Sequence, residues 1–137
     1  TLACFESKYR YSAWRPTGAI NLADTDGNPD TVADPAWTPF VATPNHPEYP
    51  AAHGCVLGGL GQMLRRYFGT REVQFTLDST VTGTTHTYSN TDEPAVESTL
   101  ARIWGGMHFR TSVEHGIALG QSTADWVADR HFQPVGQ

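Results

Sequence analysis

Apolar residues recur at helical spacing through four stretches of the chain and alternate with polar ones through a fifth. Leu2, Phe5, Tyr9 and Ala13 lie three or four residues apart, which predicts a helix over 2–14. Tyr11, Ala13 and Trp14 make its other faces apolar as well, so this helix is expected to be buried. Arg15-Pro16 should end it, because a residue before proline avoids helical backbone. A second helix over 51–68 carries Leu57, Leu60, Leu64 and Tyr67 on one stripe. Gly58, Gly59 and Gly61 weaken it by about 1 kcal/mol each relative to alanine, but they allow a neighbouring helix to come close. Residues 72–89 alternate (Val73, Phe75, Leu77; Val81, Thr85, Thr87) around Asp78–Gly83, the pattern of a surface β-hairpin. Thr91-Asp92-Glu93-Pro94 reads as a helix start, with Thr91 or Asp92 capping and Pro94 in the first turn. That helix holds Val96, Leu100, Ile103 and Trp104, and Gly105-Gly106 should break it. A last helix over 112–129 would turn Val113, Ile117, Gly120, Ala124 and Val127 inward. The expected fold class is mainly α: a helical bundle with one small β-hairpin.

Residues 16–50 show no periodicity and hold seven of the nine prolines. An irregular segment of that length usually signals function or an insertion. Within it, Asp24 to Asp30 superficially follows a calcium loop, but Pro29 takes the turn position that needs glycine and Pro35 that of the bidentate glutamate. A polar surface turn is the reading that remains.

The length of 137 residues suits one domain. Nine Lys/Arg against fourteen Asp/Glu give a net charge of −5, which argues against a nucleic-acid or anionic-membrane partner. No apolar run approaches the roughly 20 residues of a membrane span. Two cysteines, Cys4 and Cys55, rule out a disulfide-dense scaffold and a cysteine-based zinc site. They are read as two buried thiols or as a single bridge.

Three clusters carry chemistry. Lys8, the only lysine, lies seven residues before Arg15, which on one continuous helix puts both on one face. A lysine buried there needs an anionic partner. The second cluster, Asn45-His46-Pro47-Glu48-Tyr49-Pro50-Ala51-Ala52-His53-Gly54, runs straight into a helix whose first N–H groups form an anion site. His53 in that first turn could exchange a proton with a bound anion. The third is Arg102-Ile-Trp-Gly-Gly-Met-His108: an unbroken helix would set Arg102 and His108 about 240° apart, and the Gly105-Gly106 break lets both point at one spot. Each cluster alone also fits an ordinary ion pair, helix start or helix corner.

Together the clusters resemble the signature of the vanadium-dependent haloperoxidase and type 2 phosphatidic acid phosphatase (PAP2) superfamily: Lys, six residues, Arg-Pro; Pro-Ser-Gly-His; Arg, five residues, His, and usually Asp four beyond. Lys8, Arg15 and Pro16 match the first part in full, Pro50 and His53 the second in part, and Arg102 and His108 the third. The wording around them, from Trp14-Arg15-Pro16 to His46-Pro-Glu-Tyr-Pro50, looks like the bacterial haloperoxidase-like branch. The resemblance implies an oxyanion pocket for vanadate, or for phosphate in the same place. Lys8, Arg15, Arg102 and the Ala52 backbone N–H would hold the oxygens. His108 would be the apical vanadium ligand, or the nucleophile of a phosphatase, and His53 the acid–base partner. In the peroxidase reading Lys8 polarises peroxide and halide attack gives hypohalous acid. One cationic cage suits both chemistries, because bound vanadate and a phosphoryl transition state share shape and charge.

Three departures stand out. Ala51 replaces the serine donor, Ala52 replaces the glycine, and Ser112 stands where the family's aspartate would orient the histidine. Ser112 could accept the ring N–H, and Glu114 is a further candidate. The resemblance also places His46 and Trp14 at the pocket, a histidine at position 46 being associated with bromide or iodide oxidation, although a solvated loop histidine fits equally. His86, His115 and His131 are read as surface histidines, and Arg65, Arg66 and Arg71 as a solvated helix end.

The implied function is a vanadate-dependent haloperoxidase oxidising bromide or iodide with hydrogen peroxide. The alternatives are a phosphatase acting on phosphomonoesters through a phosphohistidine, or a relic that binds an oxyanion without turnover. Residues 1–137 are expected to form one haloperoxidase/PAP2-like domain, incomplete at its N-terminus, with a further N-terminal region or a second copy covering it. An extracytoplasmic location is what the resemblance favours.

Overall fold

The computed structural model describes residues 1–131 and 133. Helix α1 (Leu2–Tyr11) stops where Ser12 turns to left-handed backbone at φ 46° and donates its N–H to the Lys8 carbonyl. The apolar pattern continues through Ala13 and Trp14, but the helix does not, so the expected end at 14 is three residues too late. Arg15 is extended, and Pro16 opens a short helix α2 (Pro16–Asn21), where its missing N–H loses no bond. Lys8 and Arg15 therefore stand on different elements, not on one helix face. The expectation that α1 is buried also fails: Leu2 is 89% exposed, and only Cys4 and Lys8 are enclosed. A turn of 3-10 helix at Ala23–Thr25 follows α2, so the segment expected to be irregular is partly helical. At Asp24–Asp30 the polar turn is as expected, with Asp26 accepting the Asn28 N–H at 2.7 Å and Asn28 that of Asp30 at 3.1 Å.

Helices α3 (Ala52–Phe68) and α5 (Arg110–Arg130) form the core, running side by side in one direction. Gly54 meets Val113, Gly59 meets Gly120, and Gln62 binds Asp125. The face of α3 that is buried is Gly54, Cys55, Gly58 and Gly61, not the leucine stripe; Tyr67 is 82% exposed. The close approach explains this. A Cβ on Gly54 would lie 2.6 Å from the Val113 carbonyl, and one on Gly58 would run into the Ile117 backbone. Glycines thus do what the sequence suggested, and the leucines are displaced to the flanks. On α5 the inward positions include Val113, Gly120 and Ala124, as expected.

The hairpin pairs β1 (Phe75–Ser79) with β2 (Thr84–Tyr88), Phe75 opposite Tyr88. It leans on α4 (Glu93–Trp104): the Tyr88 hydroxyl donates to Glu97 at 2.8 Å, and the exposed His86 pairs with the same carboxylate. Neither Thr91 nor Asp92 caps α4 with its side chain. Asn90 Oδ1 accepts the N–H groups of Asp92 and Glu93 instead, while the Asp92 carboxylate pairs with Arg65 and Arg71. Arg66 pairs with Asp125 and Asp129 of α5, so these arginines tie elements together as well as meeting solvent. As expected, α4 ends before Gly105-Gly106, Gly106 having φ 71°.

Cys4 and Cys55 are free, buried thiols that line one apolar groove of about 320 Å³ between α1, α3 and α5. Burial, and then the neighbouring Cys4, pushes the Cys55 thiol up to about 12. Among the described residues, no helix is long and apolar enough to cross a membrane.

Candidate functional site

The loop 46–51 passes between the end of α1 and the start of α5, and the groups singled out from the sequence meet along it. Lys8 is wholly buried and donates from Nζ to the carbonyls of Pro47 (2.8 Å) and Glu48 (3.0 Å). Arg15 fans out across the same space. Its Nε donates to the His46 carbonyl at 3.1 Å, Nη1 to the Met107 carbonyl and to His108 Nε2 (both 2.9 Å), and Nη2 lies 3.1 Å from His46 Nδ1. The corner after α4 makes this convergence possible. The break at Gly105-Gly106 turns the chain back so that Arg102 Nη2 reaches Met107 Sδ at 3.3 Å while His108 points at Arg15.

His108 is 4% exposed, and its protonation can be read from its partners. A guanidinium only donates, so Nε2 must accept from Arg15 and carry a lone pair. The ring proton then sits on Nδ1, which donates to Glu48 Oε1 at 2.8 Å. The same oxygen accepts the Phe109 N–H at 3.0 Å. Burial lowers the pKa of His108, against the pull of Glu48 in the opposite direction.

The electrostatics are those of a crowded cationic cluster. Burial, and then Arg15, lowers Lys8 to about 8. Arg15 and Arg102 are held below their ordinary value by desolvation, Arg15 also by Arg102. His53, exposed in the first turn of α3, is pushed down to about 4 by desolvation and then by Arg102, His108, His46 and Lys8, so it is neutral at pH 7. His46 is lowered too, first by desolvation. Lys8 and Arg15 lie near the one buried carboxylate, Glu48, and the Arg102 Nε is a buried N–H with no partner among the described residues. That donor set fits a small anion of multiple charge, such as vanadate or phosphate.

Not every expected residue takes part as expected. Ser112 does not accept the His108 ring N–H; its hydroxyl contacts the Glu48 carbonyl at 3.4 Å, because the first turn of α5 carries it behind that loop. Glu114 is exposed on α5 and is no substitute for it. Glu48 occupies the position that both were considered for, and sequence reasoning missed it. The only available signal was a lone carboxylate between two histidines in the segment His46–His53. Trp14 is half-exposed and lines a cleft with Tyr49, Phe109 and His115 that Glu48 and Ser112 also border. Ala52 opens α3 without a positive φ, so its Cβ is tolerated and its N–H stays among the first-turn donors that lack an intrahelical acceptor. His115 bonds the Tyr49 hydroxyl at 2.9 Å and His131 stacks near Trp126; both are exposed, as read from the sequence.

The whole chain, residues 1–137, matches the VCPO second helical-bundle domain and belongs to that family. Among solved structures it is similar to the first bacterial vanadium-dependent iodoperoxidase, with TM-score 0.77 and 28% identity over 92% of this chain and 29% of that one. It is also similar to the holo-type bacterial vanadium-dependent chloroperoxidase, with TM-score 0.70 and 25% identity over 93% of this chain and 33% of that one. The apo-type chloroperoxidase shares the fold at TM-score 0.71 and 24% identity, over 92% of this chain and 32% of that one. The chain thus spans about a third of the length of the solved relatives it matches. No curated protein matches it.

Proposed function

We propose that this domain contributes the oxyanion site of a vanadate-dependent haloperoxidase that oxidises bromide or iodide with hydrogen peroxide. The observation that carries the reading is the His108 Nε2 lone pair, held 2.9 Å from Arg15 Nη1 inside the Lys8–Arg15–Arg102 cluster. Lys8, Arg15 and Arg102, with the Ala52 N–H, would hold the oxygens of bound vanadate, and His108 Nε2 would be its protein ligand. The chemistry that such a group supplies is activation of hydrogen peroxide toward halide. This chain's own residues bind and orient. The three cations would offset the anion's charge where burial has partly stripped them of water, and such interactions are stronger there than in water. Neutral at pH 7, His53 can take a proton from an incoming hydroxyl, and Lys8, lowered to about 8, is acidic enough to share one. His46, hydrogen-bonded to Arg15, stands at the rim where halide preference would be set.

The same lone pair and cage also suit a phosphohistidine phosphatase, and one paired assay separates the readings. The full-length protein, loaded with orthovanadate, is tested for peroxide-dependent bromination and iodination of a dione dye, and without vanadate for hydrolysis of a nitrophenyl phosphate. Halogenation that His108→Ala abolishes is the expected result. Hydrolysis alone favours the phosphatase. Phosphate binding with neither activity favours the relic, in which Ala51 lacks the serine donor.

A further inference from the structure

Glu48 is 2% exposed, and four separate segments converge on it. Its N–H donates to Ala13 at 3.1 Å in the link between α1 and α2. The backbone carbonyl accepts Lys8 Nζ at 3.0 Å from α1 and the Ser112 hydroxyl at 3.4 Å from α5. The carboxylate takes the His108 Nδ1–H at 2.8 Å and the Phe109 N–H at 3.0 Å at the corner before α5. A carboxylate is costly to remove from water unless donors meet it, and these two N–H groups lie at the positive end of the α5 dipole. Besides Glu48, the charged or titratable groups acting on the His108 ring are Lys8 of α1, Arg15 just before α2 and His53 of α3, and none of them takes the proton from Nδ1. Arg15 and Glu48 therefore hold the tautomer from opposite sides: Arg15 can only donate to Nε2, and Glu48 is the acceptor that receives the proton on Nδ1.

We infer that Glu48 is the positioning residue of this site: its carboxylate holds the His108 proton on Nδ1 so that the Nε2 lone pair faces the cationic cluster, and its carbonyl holds Lys8 in the same cluster. The use made of that lone pair rests on the proposed function; the tautomer does not. A carboxylate on the loop before α3 thus does the work that the family signature gives to a side chain four residues after the histidine.

The test uses the full chain with isotope-labelled histidine. Nitrogen chemical shifts at neutral pH report which ring nitrogen of His108 is protonated, the signal being assigned by its loss in His108→Gln. Wild type should show Nδ1–H with a bare Nε2. Glu48→Ala should let the proton divide between Nδ1 and Nε2, Arg15 alone now favouring the bare Nε2, and Glu48→Gln, which keeps an acceptor without the charge, should shift it the same way by less. Calorimetric titration with orthophosphate on the same samples should show affinity weaker by about ten-fold or more in both variants, the range typical of a lost partner behind a ligating histidine. Circular dichroism of Glu48→Gln should match wild type. Should Glu48→Ala fail to fold, the Glu48→Gln spectrum decides. A wild-type ring protonated at Nε2, or an unchanged Nδ1–H signal in a folded Glu48 variant, overturns the inference. A tautomer that shifts as described in a protein that binds no phosphate supports the inference and sinks the oxyanion reading instead.

Discussion

The two ends of the α3–α5 pair are built on opposite terms. Along the seam, Gly54, Gly58 and Gly120 let two backbones touch with no charge between them, so the contact is dense dispersion and buried apolar surface. At its head, where the chain enters both helices, Lys8, Arg15, Arg102, His53 and His108 gather, and a single buried carboxylate, Glu48, meets His108. Each of these cations is held at a lowered pKa, which means that the fold disfavours its charge there. The seam tolerates almost no change of volume and stabilises the domain; the head holds cations whose charge is disfavoured first by burial. Packing and charge are thus separated along one helix pair.

Substitutions can break that contrast, and the largest effect belongs to the seam. Gly58→Leu should destabilise the domain by about 3 kcal/mol or more in denaturant titration, because its side chain meets Ile117 backbone that cannot yield. Gly59→Ala, one position away with 3.4 Å of room to Gly120, should be neutral or stabilising through helix propensity. At the head the effect is smaller. Lys8→Met should destabilise the domain by about 1–2 kcal/mol, because the Pro47 and Glu48 carbonyls lose a buried donor. The same substitution should weaken orthophosphate binding about ten-fold or more by calorimetry, the loss of one charge-assisted contact. If Lys8→Met unfolds the protein while Gly58→Leu does not, the division is wrong.

The pH dependence is a smaller effect with a definite sign. His53 lies near 4 in the folded domain against 6.5 in an unfolded chain, so between these values the unfolded state binds more protons. Stability should therefore fall as pH drops from about 6.5 to about 4. In melting-temperature profiles, His53→Gln should show a shallower slope over that window and match wild type above it. The smallest effect should come from Arg66→Ala: its pairs with Asp125 and Asp129 are solvated, and at moderate salt the thermal midpoint should not move measurably.

How much of this was legible in the sequence depended on whether short-range pattern or long-range packing decided the outcome. The spans of α3, α4, α5 and the hairpin follow from periodicity and the Gly105-Gly106 break, which are local. The burial of α3 was misread because the Leu57–Leu64 stripe is the stronger hydrophobic signal, yet a helix at backbone contact needs the absence of side chains. Lys8 and Arg15 do share a site, but the sequence reason offered was a helix that Ser12 ends; what joins them is the loop carrying Pro47 and Glu48. Glu48 itself was invisible, since nothing in a proline-flanked loop announces which neighbour sixty residues on will receive its carboxylate.

The left-handed Gly106 has Trp37 and Pro39 lying directly on it, and Val41 is bonded to the adjacent Gly105 carbonyl at 3.2 Å. The proline-rich segment is therefore pegged two residues from His108, while its polar tip at Asp24–Asp30 stands free in solvent. Evolution can lengthen, shorten or recolour that tip, altering what approaches the domain's rim, without disturbing the bearing of the imidazole behind it.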